Sequence, residues 1–353
     1  MAPARLQDLL GVDIPLVQAP MAGVQGSALA VAVSNAGGLG SLPCALLTPE
    51  AMKGELEAIR AATTRPFNVN FFCHATPPLD PAREAAWRAA LARYYAEAGI
   101  PAGDLPPAPA RAPFNAEAAD VLAAFEPPVV SFHFGLPAEA LLARVRAWGA
   151  KVLSTATTVD EARWLEARGV DAIIAQGAEA GGHRGTFTGV AAGAQPGLFA
   201  LLPQVVDAVS VPVIAAGGVA DGRQVAAAFM LGASGVQLGS AFLRCEEANV
   251  LDAHRAALRE ANDASTIITE MITGRPARYI RNKLTDDLIA SGLEPVAFPA
   301  QYSLTGPLGA TGDRELTALF AGQSTGLAKD TNAAALVETL AEETSHRLCA
   351  FQG

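Results

Sequence analysis

The chain has 353 residues, of which 51% are hydrophobic and 17% are charged, and its formal net charge at pH 7 is −10. A chain of this length and composition can bury a large core and predicts one large domain or two modest ones. The acidic balance argues against a nucleic-acid partner, which would require a basic patch. The first residues lack the basic start and apolar stretch of a signal peptide, and no segment is long and apolar enough to span a membrane. We therefore expect a cytoplasmic protein with no membrane contact.

The four cysteines, Cys44, Cys73, Cys245 and Cys349, are far apart in the sequence. This spacing favours reduced thiols over a disulfide framework. No group of His, Cys, Asp or Glu shows the spacing of metal ligands, so we predict no metal centre.

Eight short apolar runs alternate with stretches that carry the apolar period of a helix. We predict strands at 14–20, 38–42, 66–72, 128–134, 151–156, 171–176, 212–216 and 235–239. We predict helices between them at 25–36, 49–62, 137–148, 158–168, 197–209 and 221–231. Near-continuous apolar strands joined by helices indicate a parallel sheet covered on both faces. Eight such units predict an α/β fold that closes into a (β/α)8 barrel rather than an open doubly wound sheet.

Residues 74–127 are too many for one ordinary connection between a strand and a helix. They contain predicted helices at 81–98 and 115–125, on either side of a Pro- and Ala-rich segment, Pro101–Pro113. A connection this long is typical of a lid or a surface excursion.

Residues 246–311 follow the eighth strand and differ in pattern from the barrel units. They begin with a predicted helix at 246–261, and helix resumes at 313–346. We interpret 246–311 as a cap over one end of the barrel, which itself consists of residues 1–245 plus 312–353.

The sixth predicted strand ends in Gln176 and is followed by a glycine-rich turn that contains Gly181, Gly182 and His183. Glycines let a backbone approach a ligand closely, and a histidine can exchange a proton near neutral pH. The fourth strand ends near His133. Because chemistry in barrel enzymes gathers at the C-terminal ends of the strands, these residues are candidates for an active site. A structural role in the loop or core is the alternative for each histidine.

The seventh and eighth strands end in Gly217-Gly218 and in Gln237-Leu238-Gly239-Ser240. Glycine turns at these two strand ends form the usual phosphate site of a barrel, where backbone N–H groups bind the dianion. The alternative is two tight turns without a ligand. Asn70 and Gln176, at the ends of the third and sixth strands, offer amides to a planar heteroaromatic ligand or tie neighbouring strands together.

Together these motifs resemble the nitronate monooxygenase family, formerly called 2-nitropropane dioxygenases. The resemblance runs in order from about residue 10 to about residue 245. The His-Phe-Gly and Gly-Gly-His-Arg-Gly segments together are specific to its class I members. The matching segments are Gln18–Met21, Asn68–Asn70, Val130–Gly135, Ala175–Gly185, Ala215–Gly218 and Gln237–Ser240.

The resemblance implies a TIM barrel that binds FMN non-covalently and oxidises alkyl nitronates, propionate 3-nitronate above all. O2 would be the second substrate, and the products would be a carbonyl compound with nitrite or nitrate. His183 would be the base on the substrate side and His133 an anion-binding residue. The FMN contacts would be Pro20, Met21, Ala22, Asn70, Gln176, Gly181, Gly182, Gly217, Gly218, Gln237, Leu238, Gly239 and Ser240, with the phosphate at Gly218, Gly239 and Ser240.

The segment after the eighth strand departs from the family pattern. It keeps one substrate-side tyrosine, Tyr302, but has Phe298 where a second tyrosine is expected and Gly306 where a lysine is expected. A nitronate that carries a carboxylate would lose a counter-charge there, which leaves the substrate in question.

Two other functions remain in competition, an FMN-dependent NAD(P)H reductase of enones or quinones and a non-catalytic flavin-binding protein. The motif around His133 favours the monooxygenase, and two histidines on the rim exceed what binding alone needs. A homodimer is left open.

Overall fold

A computed structural model describes residues 5–101 and 111–350. Eight of its strands form one parallel sheet in the order β1-β9-β8-β6-β5-β4-β3-β2, and the remaining three form a second, antiparallel sheet. The strands are β1 Leu16–Gln18, β2 Gly40–Pro43, β3 Phe67–Phe72, β4 Val129–His133, β5 Lys151–Ala156, β6 Ala172–Gln176, β7 Gly182–His183, β8 Val213–Ala216, β9 Gly235–Leu238, β10 Thr266–Thr269 and β11 Ala277–Ile280.

The parallel sheet closes on itself between its first and last strands. The N–H of Leu39 donates to the carbonyl of Leu16 at 2.8 Å, and the N–H of Gln18 donates to the carbonyl of Leu39 at 2.9 Å. The ring of eight parallel strands with helices outside confirms the predicted TIM barrel. All eight predicted barrel strands are present.

The helices begin where the sequence supplies caps. The side chains of Thr48, Asp80, Asn115, Thr158 and Asp221 each accept a hydrogen bond from a backbone N–H of the first turn of the helix that follows. The helices are α1 Leu6–Leu10, α2 Ser27–Asn35, α3 Pro49–Ala62, α4 Pro81–Glu97, α5 Ala116–Phe125, α6 Glu139–Ala147, α7 Val159–Glu166, α8 Leu198–Ala208, α9 Gly222–Met230, α10 Asp252–Glu260, α11 Lys283–Ala290, α12 Ala300–Gly309 and α13 Ala333–Ala350.

Helix α1 closes the barrel interior at the N-terminal ends of the strands. Leu6 and Leu10 of this helix belong to one buried cluster with Val17, Leu153 and Ile214, which point into the barrel from three strands. This plug leaves the opposite end, at the C-terminal ends of the strands, for a ligand.

The excursion and the cap pack on each other above that end. Trp87 and Tyr95 of α4 are fully buried, and Trp87 Nε1 donates to the carbonyl of Glu294 at 2.7 Å. The hydroxyl of Tyr95 donates to the carbonyl of Leu304 at 2.7 Å. The cap also carries the antiparallel sheet β10-β11-β7, whose third strand is the turn that holds His183.

The structure corrects two predicted helices. The helix predicted at 246–261 begins only at Asp252, because the N–H groups of Glu246 and Asn249 donate to Thr331 and Val24 instead. The helix predicted at 313–346 begins only at Ala333, and two short 3-10 turns precede it. The division into barrel and cap stays a prediction. Within the described ranges, no helix is long and apolar enough to cross a membrane.

Candidate active site

A cavity lies between the C-terminal ends of the barrel strands and the cap. Nearly all of the predicted site residues line it together: Pro20, Met21, Ala22, Asn70, His133, Gln176, Gly181, Gly182, His183, Gly217, Gly218, Gln237, Gly239 and Ser240. Two predicted residues do not. The side chain of Leu238 is buried in the core, and Tyr302 lines a second, outer cavity beside the first.

One end of the cavity is a cradle made of the glycine turns after β8 and β9. Gly217 and Gly218 have φ of +102° and +68°, values that side-chain-bearing residues rarely adopt. The N–H groups of Gly218, Gly239 and Ser240 donate to no acceptor among the described residues. Free N–H groups at two adjacent turns are the donor set that a phosphate requires.

The segment after α12 closes over this cradle, which the sequence analysis missed. The N–H of Gly322 donates to Ser240 Oγ at 2.8 Å, and Ser324 Oγ donates to the carbonyl of Gly218 at 2.8 Å. A Cβ on Gly181 would lie 2.5 Å from the backbone of Gly322, so only glycine permits this approach.

Two residues that line the cavity each carry a buried polar atom without a partner among the described residues. The two atoms are Oγ1 of Thr325, a fully buried residue, and Oε1 of Gln237. A buried polar atom without a hydrogen bond costs about 1 to 3 kcal/mol. Because both atoms lie beside the glycine turns, the cradle fits a polar, phosphate-bearing ligand.

The acidic and basic side chains of the glycine turn are held by hydrogen bonds within the protein. Both carboxylate oxygens of Glu179 accept from the N–H of Leu198, at 2.8 and 2.9 Å, at the start of α8. Arg184 is fully buried and donates to the carbonyls of Gln176, at 2.7 Å, and Gly177. Arg184 therefore holds the turn together.

The side-chain amides of Gln176 and Asn70 differ in whether they keep an atom available for a ligand. Gln176 donates from Nε2 to the carbonyl of His183 at 3.0 Å, and its Oε1 accepts from Gly185 at 2.8 Å, so it ties the strand to the turn. Asn70 donates from Nδ2 to Ser131 Oγ at 2.9 Å, and its Oδ1 accepts nothing from the described residues. Asn70 thus retains an acceptor at the cavity wall.

His183 is oriented by the cap. It pairs with Ala277 of β11, and its Nε2 lies 3.0 Å from Thr273 Oγ1. The Thr273 hydroxyl also lies 3.3 Å from the carbonyl of Arg275, which can only accept, and 3.4 Å from the hydroxyl of Tyr279. When the hydroxyl donates to that carbonyl, it accepts from His183 Nε2–H. This arrangement leaves the lone pair of Nδ1 without a partner among the described residues.

The imidazole of His183 is neutral at pH 7. Burial lowers its pKa well below 6.5, and positive charge on Arg111 and Arg275 lowers it further. A neutral histidine with one unengaged ring nitrogen can accept a proton at that atom.

His133 is engaged at both ring nitrogens. Nε2 lies 3.2 Å from the carbonyl of His183 and must donate to it, while Nδ1 lies 3.1 Å from Thr155 Oγ1 and accepts from it. Burial lowers its pKa to about 4. His133 therefore holds the backbone of His183 in place.

The substrate side has an aromatic wall and two arginines that the sequence analysis missed. The ring of Phe298 lies 5.3 Å from that of His183, centroid to centroid. The guanidinium of Arg275 lies 4.0 Å over the ring of Phe134, and that of Arg111 lies 4.0 Å over Tyr302. No local motif marks these arginines, because they come from the cap and the excursion. In the described part of the chain, no cluster of three His, Cys, Asp or Glu side chains could hold a metal ion.

The comparisons with known proteins agree on one family. Residues 4–343 match the family model described as nitronate monooxygenase. The nitronate monooxygenase of Pseudomonas aeruginosa is 42% identical over 349 residues, which are 96% of this chain and 98% of that protein. A crystal structure of nitroalkane oxidase from Streptomyces ansochromogenes is 40% identical with a TM-score of 0.91, over 99% of this chain and 100% of that chain. FabK from Thermotoga maritima is 28% identical with a TM-score of 0.78, over 100% of this chain and 99% of that chain.

Proposed function

The chain belongs to the nitronate monooxygenase family of oxidoreductases, and on that premise we propose that it oxidises alkyl nitronates with O2 at a bound FMN. The products are a carbonyl compound and nitrite or nitrate. The observation that carries the proposal is the unengaged Nδ1 of His183 in a cavity that also holds a phosphate cradle.

The cradle supports FMN as the cofactor. The N–H groups of Gly218, Gly239 and Ser240, with the Thr325 hydroxyl, would hold its phosphate. Met21 and Asn70, at the ends of β1 and β3, would lie against its ring system. FMN supplies the electron acceptor for an electron-rich nitronate, and the protein supplies binding and orientation.

His183 moves the proton in this proposal. Where the substrate arrives as a neutral nitroalkane, Nδ1 takes a proton from the carbon beside the nitro group and leaves the nitronate. A nitronate that arrives already ionised needs no base. His133 acts here through hydrogen bonds to His183 and Thr155, so we assign it a positioning role rather than the anion-binding role expected from the resemblance.

The first experiment is anaerobic mixing of the purified yellow protein with propionate 3-nitronate in one cell and NADPH in another. Rapid loss of flavin absorbance with the nitronate alone is expected. Loss with NADPH alone would identify an NAD(P)H reductase instead. A protein that binds FMN and reacts with neither would be a flavin-binding protein without this activity.

A substitution of His183 distinguishes removal of the carbon proton from cofactor binding and from oxidation of the nitronate. We expect His183→Gln to retain FMN and to lose at least about 100-fold in kcat/KM for a neutral nitroalkane. The loss for the preformed nitronate should be under about tenfold, because no carbon proton is removed. Equal losses for both substrates would remove His183 as the base.

A further inference from the structure

A second cavity opens outward from the substrate side, between the excursion and α12. Its walls include Thr76 and Leu79 from the excursion and Phe298, Tyr302 and Ser303 from the cap. Arg111 lines both this outer cavity and the inner one, so its guanidinium stands at their junction.

Arg111 is a largely buried cation that the described residues leave short of partners. Its guanidinium stacks 4.0 Å over the Tyr302 ring and lies 5.9 Å from the Phe298 ring. Its Nε is buried and donates to no atom of the described residues. The groups that favour its charge are the side chains of Tyr302 and Tyr279, and no carboxylate is among them. Burial lowers its pKa, yet arginine stays protonated in proteins. A buried charge without a counter-ion is costly, which points to an anion supplied by a ligand.

The other arginine on this side is already engaged. Arg275 donates from Nη2 to the carbonyl of Thr186 at 2.6 Å and covers the ring of Phe134. Arg275 lines neither cavity, whereas Arg111 lines both, so Arg111 is the arginine that a ligand in these cavities can reach.

Building on the proposed function, we propose that Arg111 binds a carboxylate on the substrate chain and thereby selects carboxylated nitronates over nitronates with an uncharged alkyl chain. The carboxylate would accept from Arg111 at the junction, with the nitronate carbon toward His183. This corrects the expectation that the cap leaves such a substrate without a counter-charge. A side chain on Gly306 would meet the Tyr302 ring at 2.9 Å, and Arg111 brings its charge to that same ring from the excursion.

The test compares Arg111→Gln with the wild-type holoenzyme on two nitronates of similar length, propionate 3-nitronate and butyl nitronate, which lacks the carboxylate. We expect KM for the carboxylated substrate to rise about 10- to 100-fold, because hydrogen bonds to charged groups have that effect. kcat, and both constants for butyl nitronate, should change less than threefold. Arg88→Gln, on the exposed face of α4, is the matched control and should change neither. An equal rise for both substrates would overturn the proposal.

A second measurement, competitive inhibition of the wild-type enzyme, needs no variant. Butyrate should compete with propionate 3-nitronate in the wild-type holoenzyme, and butyramide, its neutral counterpart, should not. Equal binding of the two would overturn the carboxylate subsite. If nitronates prove not to be substrates, calorimetry of butyrate on wild type and Arg111→Gln still decides, because binding lost in the variant supports the subsite and binding retained overturns it.

Asp104 belongs to the residues outside the described ranges and is an acidic residue close to Arg111 in sequence. Asp104→Asn tests whether the chain supplies the anion itself. An unchanged KM for propionate 3-nitronate supports the subsite, whereas a KM at least threefold lower would show that Asp104 competes for Arg111.

Discussion

The Nε2 atom of His183 lies 3.0 Å from the Oγ1 atom of Thr273, and this contact joins the glycine turn of the barrel to the cap. His183 also pairs with Ala277 through the backbone, so the cap sets both the position and the tautomer of the imidazole. The nitrogen that we propose as the proton acceptor is therefore oriented by residues roughly 90 positions away in the sequence.

We predict that Thr273→Val lowers kcat/KM for a neutral nitroalkane about tenfold, because the imidazole loses the acceptor that selects its Nε2–H tautomer. Steady-state kinetics with the neutral nitroalkane and with the preformed nitronate measure this. FMN content should not change, since Thr273 is remote from the cradle.

Thr311→Val is the control, because its hydroxyl donates to Leu308 on an exposed part of the cap. It should leave the kinetics unchanged. If Thr273→Val retained wild-type kcat/KM, the orientation of His183 by the cap would be unnecessary for the reaction.

We predict that Thr325→Val weakens FMN binding about 10- to 100-fold without destabilising the apoprotein. Its hydroxyl is buried without a partner among the described residues, so removing it breaks no protein hydrogen bond, whereas it would remove one to the phosphate. Fluorescence titration of the apoprotein with FMN gives the dissociation constant, and urea unfolding gives the stability.

Thr317→Val should show the opposite pattern. The Thr317 hydroxyl donates to the carbonyl of Asp313 at 2.6 Å and lies outside the cavity lining. The Thr317→Val variant should be less stable than the wild type and should bind FMN with unchanged affinity. Unchanged FMN affinity in Thr325→Val would show that the phosphate lies elsewhere.

The barrel and its rim were predictable from sequence because a parallel barrel strand is apolar on both faces and ends in polar or glycine residues. This rule predicted that Asn70, His183 and the glycine turns would meet at one end of the barrel, where they line one cavity. It could not find Thr273 or Arg111, because their place depends on how the cap and the excursion pack, and no local pattern encodes that packing. It could not distinguish Gln176 from Asn70. Both atoms of the Gln176 amide bond to the protein, whereas the Asn70 oxygen has no partner among the described residues, and only the folded positions of the two side chains show this.

Glu161 anchors the segment that follows the glycine turn. Its two oxygens accept hydrogen bonds from Thr157, Thr186, Phe187 and Thr188, at 2.7 to 3.2 Å, and the residue is fully buried. Although burial opposes ionisation, the hydrogen bonds from Thr157 and Phe187 hold the pKa of Glu161 below its usual value. The carboxylate is therefore charged in the folded protein at neutral pH.

We predict that Glu161→Gln lowers the free energy of unfolding by about 2 to 3 kcal/mol at pH 7, because a neutral amide accepts these bonds less strongly and adds an N–H group that lacks an acceptor. Urea unfolding at pH 7 measures it. Glu166→Gln, on the same helix, removes charge from a residue that accepts one bond, from Ser210, and should cost under about 1 kcal/mol. Equal losses in the two variants would mean that the Glu161 charge does not organise this segment.

Burial of the His254 imidazole should make the free energy of unfolding fall in acid. It is 4% exposed, its Nε2 donates to the carbonyl of Phe320 at 3.0 Å, and burial lowers its pKa to about 4. An unfolded histidine titrates near 6.5, so between pH 6.5 and pH 4 the unfolded chain binds a proton that the folded protein excludes. This contribution is present in full above pH 6.5, declines as the pH falls, and is lost by about pH 4.

We predict that His254→Gln removes up to about 3 kcal/mol of the difference in unfolding free energy between pH 7 and pH 4. A pKa of about 4 in place of 6.5 is worth about 3.4 kcal/mol in all, and part of that effect lies outside this pH range. Glutamine can still donate to the carbonyl of Phe320 and does not titrate. The measurement is urea unfolding of wild type and variant at half-unit pH steps. His346→Gln, on the exposed face of α13, is the control and should follow the wild-type curve. A His254→Gln curve parallel to that of the wild type would contradict this, because it would mean that His254 takes up its proton over the same pH range in the folded and the unfolded chain.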